Sequence, residues 1–253
     1  MKKNNASTDG TLWLYGIHAV KEALKNPKRV IKELWTTPEG LKSLQSEKFS
    51  FLLKPRIAQR QEIDRLLPTG AIHQGVALKT KSLIQPTLEE VIEKESQKEK
   101  SCLLILDQVT DPHNIGAILR SAAAFDCDAV LTPAAGAPTE SGALAKSACG
   151  ALETVAFLHV TNLQRAMEKL QKAGFWCVGL DGKAEQTVSQ ITLPDKTAFI
   201  LGSEGDGLRR LTLDSCDFLV KFPISAKMES LNVSNAAVLA LYEFNRRRDA
   251  KLS

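Results

Sequence analysis

From Ser101 onward the sequence alternates short, largely apolar runs with longer amphipathic ones, and this alternation restricts what the chain can fold into. The apolar runs are Leu103 to Asp107, Ala129 to Thr132, Val155 to Val160, Phe175 to Leu180, Ala198 to Gly202 and Phe218 to Phe222. Each has the length of a strand and is bounded by polar, glycine or proline breaks. Helical patterns stand between them: one from Asn114, one near Ser141 to Cys149, the amphipathic Asn162 to Ala173, and a last helix from Val233. Strands apolar on both faces and separated by helices belong to a mostly parallel sheet covered on either side. The expected class is α/β.

Before Ser101 the pattern is less regular. Residues 1 to 10 read as a disordered tail, residues 11 to 80 as a small α/β domain, residues 81 to 100 as a linker, and residues 101 to 253 as the second domain. In the small domain, helices are expected near Ile17 to Lys25 and Gln59 to Leu67, with strands near Val30 to Thr36 and Gly75 to Lys79. Within the linker, Thr87 and Glu90 are spaced as a capping box and predict a short charged helix. Lys25, Lys28, Arg29, Lys32, Lys54, Arg56, Arg60 and Arg65 make the small domain rich in cations. A solvated surface and an RNA-contacting face account for them equally well.

Composition excludes several classes. At 253 residues with 43% hydrophobic content, the chain can bury the cores of two modest domains. No apolar run reaches the length of a membrane span, and Met1-Lys2-Lys3-Asn4-Asn5 leads into polar residues rather than a signal-peptide core, so a cytoplasmic location is expected. Cysteines 102, 127, 149, 177 and 216 are odd in number and far apart, which predicts reduced, mostly buried thiols. Histidines 18, 73, 113 and 159 share no ligand spacing with cysteines or carboxylates, so no metal site is expected. A net charge of +4 fits an RNA partner without requiring one.

Three polar segments interrupt the second domain. In the first, the strand Leu103 to Asp107 runs into a loop broken by Pro112 and then a helix beginning near Asn114, which puts Asn114 and Arg120 on its first and second turns. In the second, the strand ending at Leu201 enters a loop holding Gly202, Ser203, Glu204, Gly205, Asp206 and Gly207, where glycine permits positive φ and close approach of a ligand. In the third, Phe222 and Pro223 lead to Ser230-Leu231-Asn232-Val233-Ser234-Asn235, just ahead of an apolar helical run. Ser and Asn so placed serve either as helix caps or as a polar site at the unpaired N–H groups of a helix start. The glycines follow the order G-x-x-G-x-G, the inverse of the dinucleotide fingerprint, and no acid stands between Phe222 and Lys227 to hold a ribose. No Gly-Lys-Ser or Gly-Lys-Thr occurs, which removes a P-loop.

In order, these segments resemble the three motifs of the SpoU/TrmH family of RNA 2′-O-methyltransferases, within the SPOUT class. Asn114 to Arg120 resembles the first, Gly202-Ser203-Glu204-Gly205 the second, and Pro223 to Ser234 the third. The likeness continues through Lys146 to Ala151 and Val160 to Leu163. Tyr15 to Val20 and His73 to Ala77 are similar to the bacterial members that methylate guanosine in 23S rRNA. The resemblance implies a trefoil knot in the C-terminal domain, one of the rare exceptions to unknotted connections, and an L30e-like RNA-binding domain before it. It also implies S-adenosylmethionine as cofactor, RNA as partner, with 23S rRNA foremost, and a homodimer packed through the knot and the last helix. The apolar Val233, Ala236, Ala237, Leu239, Ala240 and Tyr242, spread around that helix, agree with a dimer.

The same resemblance assigns residues. Leu201, Gly202, Glu204, Gly205, Phe222 and Leu231 would hold the methyl donor; Phe222 departs from the isoleucine or valine usual at its position. Arg120 would act on the ribose hydroxyl as general base or as a clamp on phosphate and developing alkoxide. A free guanidinium keeps its proton to above about pH 12, so the base role needs a neighbour that withdraws it. Asn114 would orient the ribose or Arg120, Glu204 would fix the arginine or the glycine loop, and Ser230 and Asn232 would complete the polar wall. His113 is read as structural or RNA-contacting. A tRNA ribose 2′-O-methyltransferase and a noncatalytic RNA-binding protein of the same fold are the alternatives; the joint presence of Asn114, Arg120, Glu204, Ser230 and Asn232 argues against the second.

Overall fold

The computed structural model describes residues 10–45 and 53–250, with side chains as far as Arg246. Apart from Gly10, the tail expected over residues 1 to 10 lies outside the described residues. The chain divides into two compact units. One is formed by the sequence up to Ile84 together with Pro138–Thr154, the other by Gln85–Ala137 together with the sequence from Val155.

The first unit carries strands β1 (Thr11–Tyr15), β2 (Ile31–Thr36), β3 (Arg56–Ile57) and β4 (Val76–Lys81), and helices α1 (Ile17–Lys25), α2 (Pro38–Leu44) and α3 (Arg60–Asp64). The sheet order is β1-β4-β2-β3, with β4 antiparallel to both neighbours and β3 parallel to β2. Strands β1 and β3 and helix α2 were not foreseen. Helix α2 starts where Thr37 accepts a hydrogen bond from Gly40 N and Pro38 takes the first helical position. Helix α3 stops well short of the expected Leu67, because Leu66 N turns back to Ile63 O at 3.0 Å, a tighter turn, and Pro68 follows. Tyr15, Ala58, Ile63, Leu67 and Ala77 form a small core, with Trp13 and Trp35 half-buried against it.

Arg29 corrects the reading of the cations as a surface set. It is buried, its Nη2 reaches Glu140 Oε1 at 2.5 Å and Glu153 Oε1 at 2.7 Å, and its Nη1 donates to Lys81 O at 3.1 Å. Glu140 and Glu153 come from the inserted Pro138–Thr154 stretch, so this guanidinium ties two distant pieces of sequence into one unit.

In the second unit, helix α4 (Leu88–Ser96) precedes strand β5 (Ser101–Leu106), helix α5 (Pro112–Ala124) and strand β6 (Ala129–Pro133). Helix α6 (Gly142–Ala148) belongs to the inserted stretch of the first unit. Then follow β7 (Ala156–Val160), α7 (Leu163–Lys172), β8 (Trp176–Leu180), β9 (Gln186–Thr187), β10 (Lys196–Leu201), α8 (Arg210–Asp214), β11 (Phe218–Lys221) and α9 (Val233–Ala250). The sheet order is β7-β6-β5-β10-β8-β11-β9, and every neighbouring pair is parallel. Strand β10 lies between β5 and β8, and β11 between β8 and β9, so late strands are inserted among earlier ones. All of β5 is buried, as its unbroken apolar run requires.

The capping box at Thr87 forms as expected, with Glu90 N donating to Thr87 Oγ1 at 3.2 Å and Thr87 N donating to Glu90 Oε2 at 2.7 Å. The helix it opens is no mere connector: Leu88 and Val91 enter the core of the second unit beside Leu103, Met167 and Leu170. Helix α5 begins at Pro112 rather than near Asn114, because Asp111 caps it by accepting from His113 N at 3.0 Å and proline suits the first helical position. Arg120 therefore stands in the third turn of α5, not the second.

Candidate active site

Strands β5 and β10 run side by side in parallel, with Leu106 opposite Leu201. The segments that follow them therefore leave the sheet at the same carboxyl end, where open α/β sheets place their ligand sites. After β10 the chain makes a tight loop closed by two hydrogen bonds of 3.1 Å, Ser203 N to Gly207 O and Gly207 N to Ser203 O. A side chain at Gly202 would put its Cβ 2.1 Å from Gly207 C, so only glycine lets the two arms of the loop close. Gly205, at φ +94°, makes the turn at its tip. Glu204 is carried outward beside it and is exposed.

Three of the expected residues meet through their side chains. Asn114, half-buried in the first turn of α5, donates from Nδ2 to Glu204 Oε1 at 3.1 Å. Asn232 donates from Nδ2 to Glu204 Oε1 at 2.5 Å and to Asn114 Oδ1 at 3.1 Å. At its other end Asn232 Oδ1 accepts from Ser234 N at 2.9 Å and Ser234 Oγ at 2.5 Å, and Asn232 O accepts from Ala236 N at 3.0 Å. Asn232 is thus the cap of α9 and a member of the cluster at once, and neither Asn114 nor Ser230 is a cap. One carboxylate oxygen gathers the start of α5, the glycine loop and the start of α9.

The other expected residues stand around this cluster. Arg120 is exposed on α5, six residues and about 9 Å of helix axis beyond Asn114. Leu201 is buried at the end of β10, and Phe222 and Leu231 are half-buried. Ser230 is exposed and takes no part in the Asn114–Glu204–Asn232 contacts. Among the described residues no group of histidine, cysteine and carboxylate side chains is arranged to hold a metal, and no helix is long and apolar enough to cross a membrane.

Two residues of consequence were not singled out from the sequence. Asp107, fully buried just past β5, accepts from Arg209 N at 3.1 Å, Arg209 Nε at 2.7 Å and Thr212 Oγ1 at 2.7 Å, while its own N–H donates to Leu201 O at 2.7 Å. It fastens the far arm of the glycine loop to the strand beside it. A lone carboxylate closing an otherwise apolar run was the signal. The second is Ser203, whose buried Oγ has no hydrogen-bond partner among the described residues. Buried hydroxyls are ordinarily satisfied.

A family model described as the SpoU rRNA Methylase family matches residues 101–242. The chain belongs to this family. A second model, for RNA 2′-O ribose methyltransferase substrate binding, matches residues 13–86. Among relatives of this SpoU chain, the 23S rRNA (guanosine-2′-O-)-methyltransferase RlmB of Pseudomonas putida is 37% identical over 249 residues, covering 94% of this chain and 97% of the relative. The RlmB of Coxiella burnetii is 40% identical over 244 residues, covering 94% and 96%. The SpoU methyltransferase AviRb of Streptomyces viridochromogenes, solved in complex with AdoMet, superposes with a TM-score of 0.79 over 98% of this chain and 94% of that one at 20% identity, which supports the fold.

Proposed function

We propose that this SpoU family member transfers a methyl group from S-adenosylmethionine to the ribose 2′-hydroxyl of a guanosine in 23S rRNA, acting in the cytoplasm as a homodimer. The observation that carries the reading is the Asn114–Glu204–Asn232 cluster, which draws the three motif segments together at the carboxyl end of a parallel sheet. The unpartnered Ser203 Oγ in the closed glycine loop, with half-buried apolar Phe222 and Leu231 between β11 and α9, fits a donor that needs both polar contacts and an apolar wall for its adenine. Leu201, Gly202, Glu204, Gly205, Phe222 and Leu231 would hold it there. When bound, the donor would supply an electrophilic methyl carbon on a sulfonium, open to in-line attack by an oxygen nucleophile with the neutral thioether as leaving group.

The remaining work falls to the chain's own side chains. The ribose oxygen must be held in line with that carbon and must lose its proton as the new bond forms. Arg120, exposed on α5, would act on that oxygen by stabilising the charge that develops, or by accepting the proton once a neighbouring group has withdrawn one from its guanidinium. Asn114, Glu204 and Asn232 position α5 for this, and Ser230 offers a hydroxyl to the RNA backbone.

Single-turnover methylation of a 23S rRNA fragment tests the assignment. Arg120→Ala is expected to slow transfer by at least about a hundredfold with little change in S-adenosylmethionine affinity, because the charge it meets arises only as transfer proceeds. Arg120→Lys keeps the charge without the planar fork, so substantial rescue identifies electrostatic stabilisation as the role. Near wild-type transfer by Arg120→Ala would place the active site elsewhere.

A further inference from the structure

Helix α3 is too short to cover the whole sheet face it packs on. Ile63 of α3 and Leu67 just beyond it lie over Tyr15 and Ala77, and beyond them a row of side chains runs across all four strands of the first unit. Trp13 on β1 pairs with Lys79 on β4, Lys79 with Glu33 on β2, and Trp35 on β2 with Arg56 on β3. Lys79 Nζ lies 5.8 Å from the centroid of the Trp13 ring, and Arg56 Cζ lies 4.0 Å from that of Trp35. Between them the Glu33 carboxylate accepts from Lys79 Nζ at 3.0 Å and from Trp35 Nε1 at 2.9 Å. The row is therefore fixed in place yet open: Trp13, Trp35, Lys79 and Glu33 are half-buried and Arg56 is exposed.

We propose that this row is a stacking platform for an unpaired nucleotide of the RNA substrate, the base lying on the Trp35–Arg56 stack and the phosphates meeting Arg56 and Lys79. The inference rests on the reading of the protein as an RNA methyltransferase and adds where, on the substrate-binding unit, the RNA is held. Aromatic rings and a planar guanidinium offer a π-face that every base can use, and cations beside them follow the phosphates. With two cations against one carboxylate, the row keeps a positive balance that suits a polyanion. A base inside an A-form duplex is already stacked on its neighbours, so a platform of this kind selects nucleotides in loops, bulges or ends.

The test uses the full chain and two RNAs: an rRNA fragment that the wild type methylates, and the same sequence closed into a duplex. Trp35→Leu, which keeps an apolar side chain but no ring, is expected to weaken binding of the fragment at least about tenfold, while Trp35→Phe stays within about threefold of wild type. The duplex is expected to bind the wild type and Trp35→Leu alike. A second readout does not depend on removing Trp35. Of the three tryptophans, Trp13 and Trp176 are replaced by phenylalanine, and the emission of Trp35 is expected to be quenched as the fragment binds. Binding of the fragment by Trp35→Leu within twofold of wild type, or Trp35 emission unchanged at saturating RNA, overturns the platform. Failure of the wild type to methylate any rRNA fragment would instead overturn the functional reading beneath it.

Discussion

Asn232 uses the two ends of one carboxamide for different purposes. Its oxygen caps α9 through Ser234, and its nitrogen holds Glu204 and Asn114. The sequence leaves cap and site open for such residues because both call for a small hydrogen-bonding side chain before an apolar helix, and no spacing reports which way a carboxamide points. Aspartate separates the two. It caps a helix as well as asparagine does, but it replaces the Nδ2 donor with an oxygen facing the Glu204 carboxylate. Asn232→Asp is expected to slow methyl transfer at least about tenfold, as misplaced catalytic geometry does. Asn232→Ala also removes the cap, at about 1 kcal/mol of stability. Transfer by Asn232→Asp at the wild-type rate would reduce Asn232 to a cap, and single-turnover kinetics beside a thermal melt reads both properties.

At the scale of elements, most segments of the second unit were legible, whereas β1 and α2 of the first unit, five and seven residues long, were missed along with the shortest elements. Strands β5, β6, β7, β8, β10 and β11 and helices α1, α6 and α7 fall where their apolar periodicity put them, within a residue or two. Strands β3 and β9 and helix α8, from two to five residues long, hold too few residues for any period to register. Helix α5 starts two residues before the expected Asn114, because Pro112, read as a breaker, is the first helical residue. Helix α9 bears on assembly. Val233, Ala237, Ala240, Leu241 and Phe244 are buried in the protein's own core, but Leu239 and Tyr242 remain 39% and 52% exposed. An apolar stripe left over after a helix has packed is the kind of surface a second subunit covers. Light scattering is expected to report a dimer, and Leu239→Lys with Tyr242→Asp a monomer. A wild type that is monomeric and active at assay concentration would refute the homodimer.

For the whole molecule, the boundary drawn in sequence and the boundary drawn by packing differ. The family model runs unbroken over residues 101–242, yet Pro138–Thr154 belongs in space to the first unit. Nothing in its composition marks this, because the segment reads as an ordinary helix and its allegiance is set by a partner more than a hundred residues away. That partner is Arg29. Burial alone would pull its guanidinium's pKa down, and Glu153 and Glu140 more than offset this, so the charge is kept inside. Removing one side of such a group is severe, since Glu140 and Glu153 have side chains only 13% and 5% exposed and would be left facing each other without a cation. Arg29→Ala is expected to destabilise the first unit by about 3–5 kcal/mol in urea unfolding. The triple change of Arg29, Glu140 and Glu153 to apolar residues of similar size should recover most of that loss. Excision of everything before Lys81 strands the same two carboxylates, so a shortened chain is expected to melt below the intact protein rather than to behave as a self-contained donor-binding domain. Equal stability of Arg29→Ala and wild type would mean that the inserted stretch is held by its apolar contacts alone.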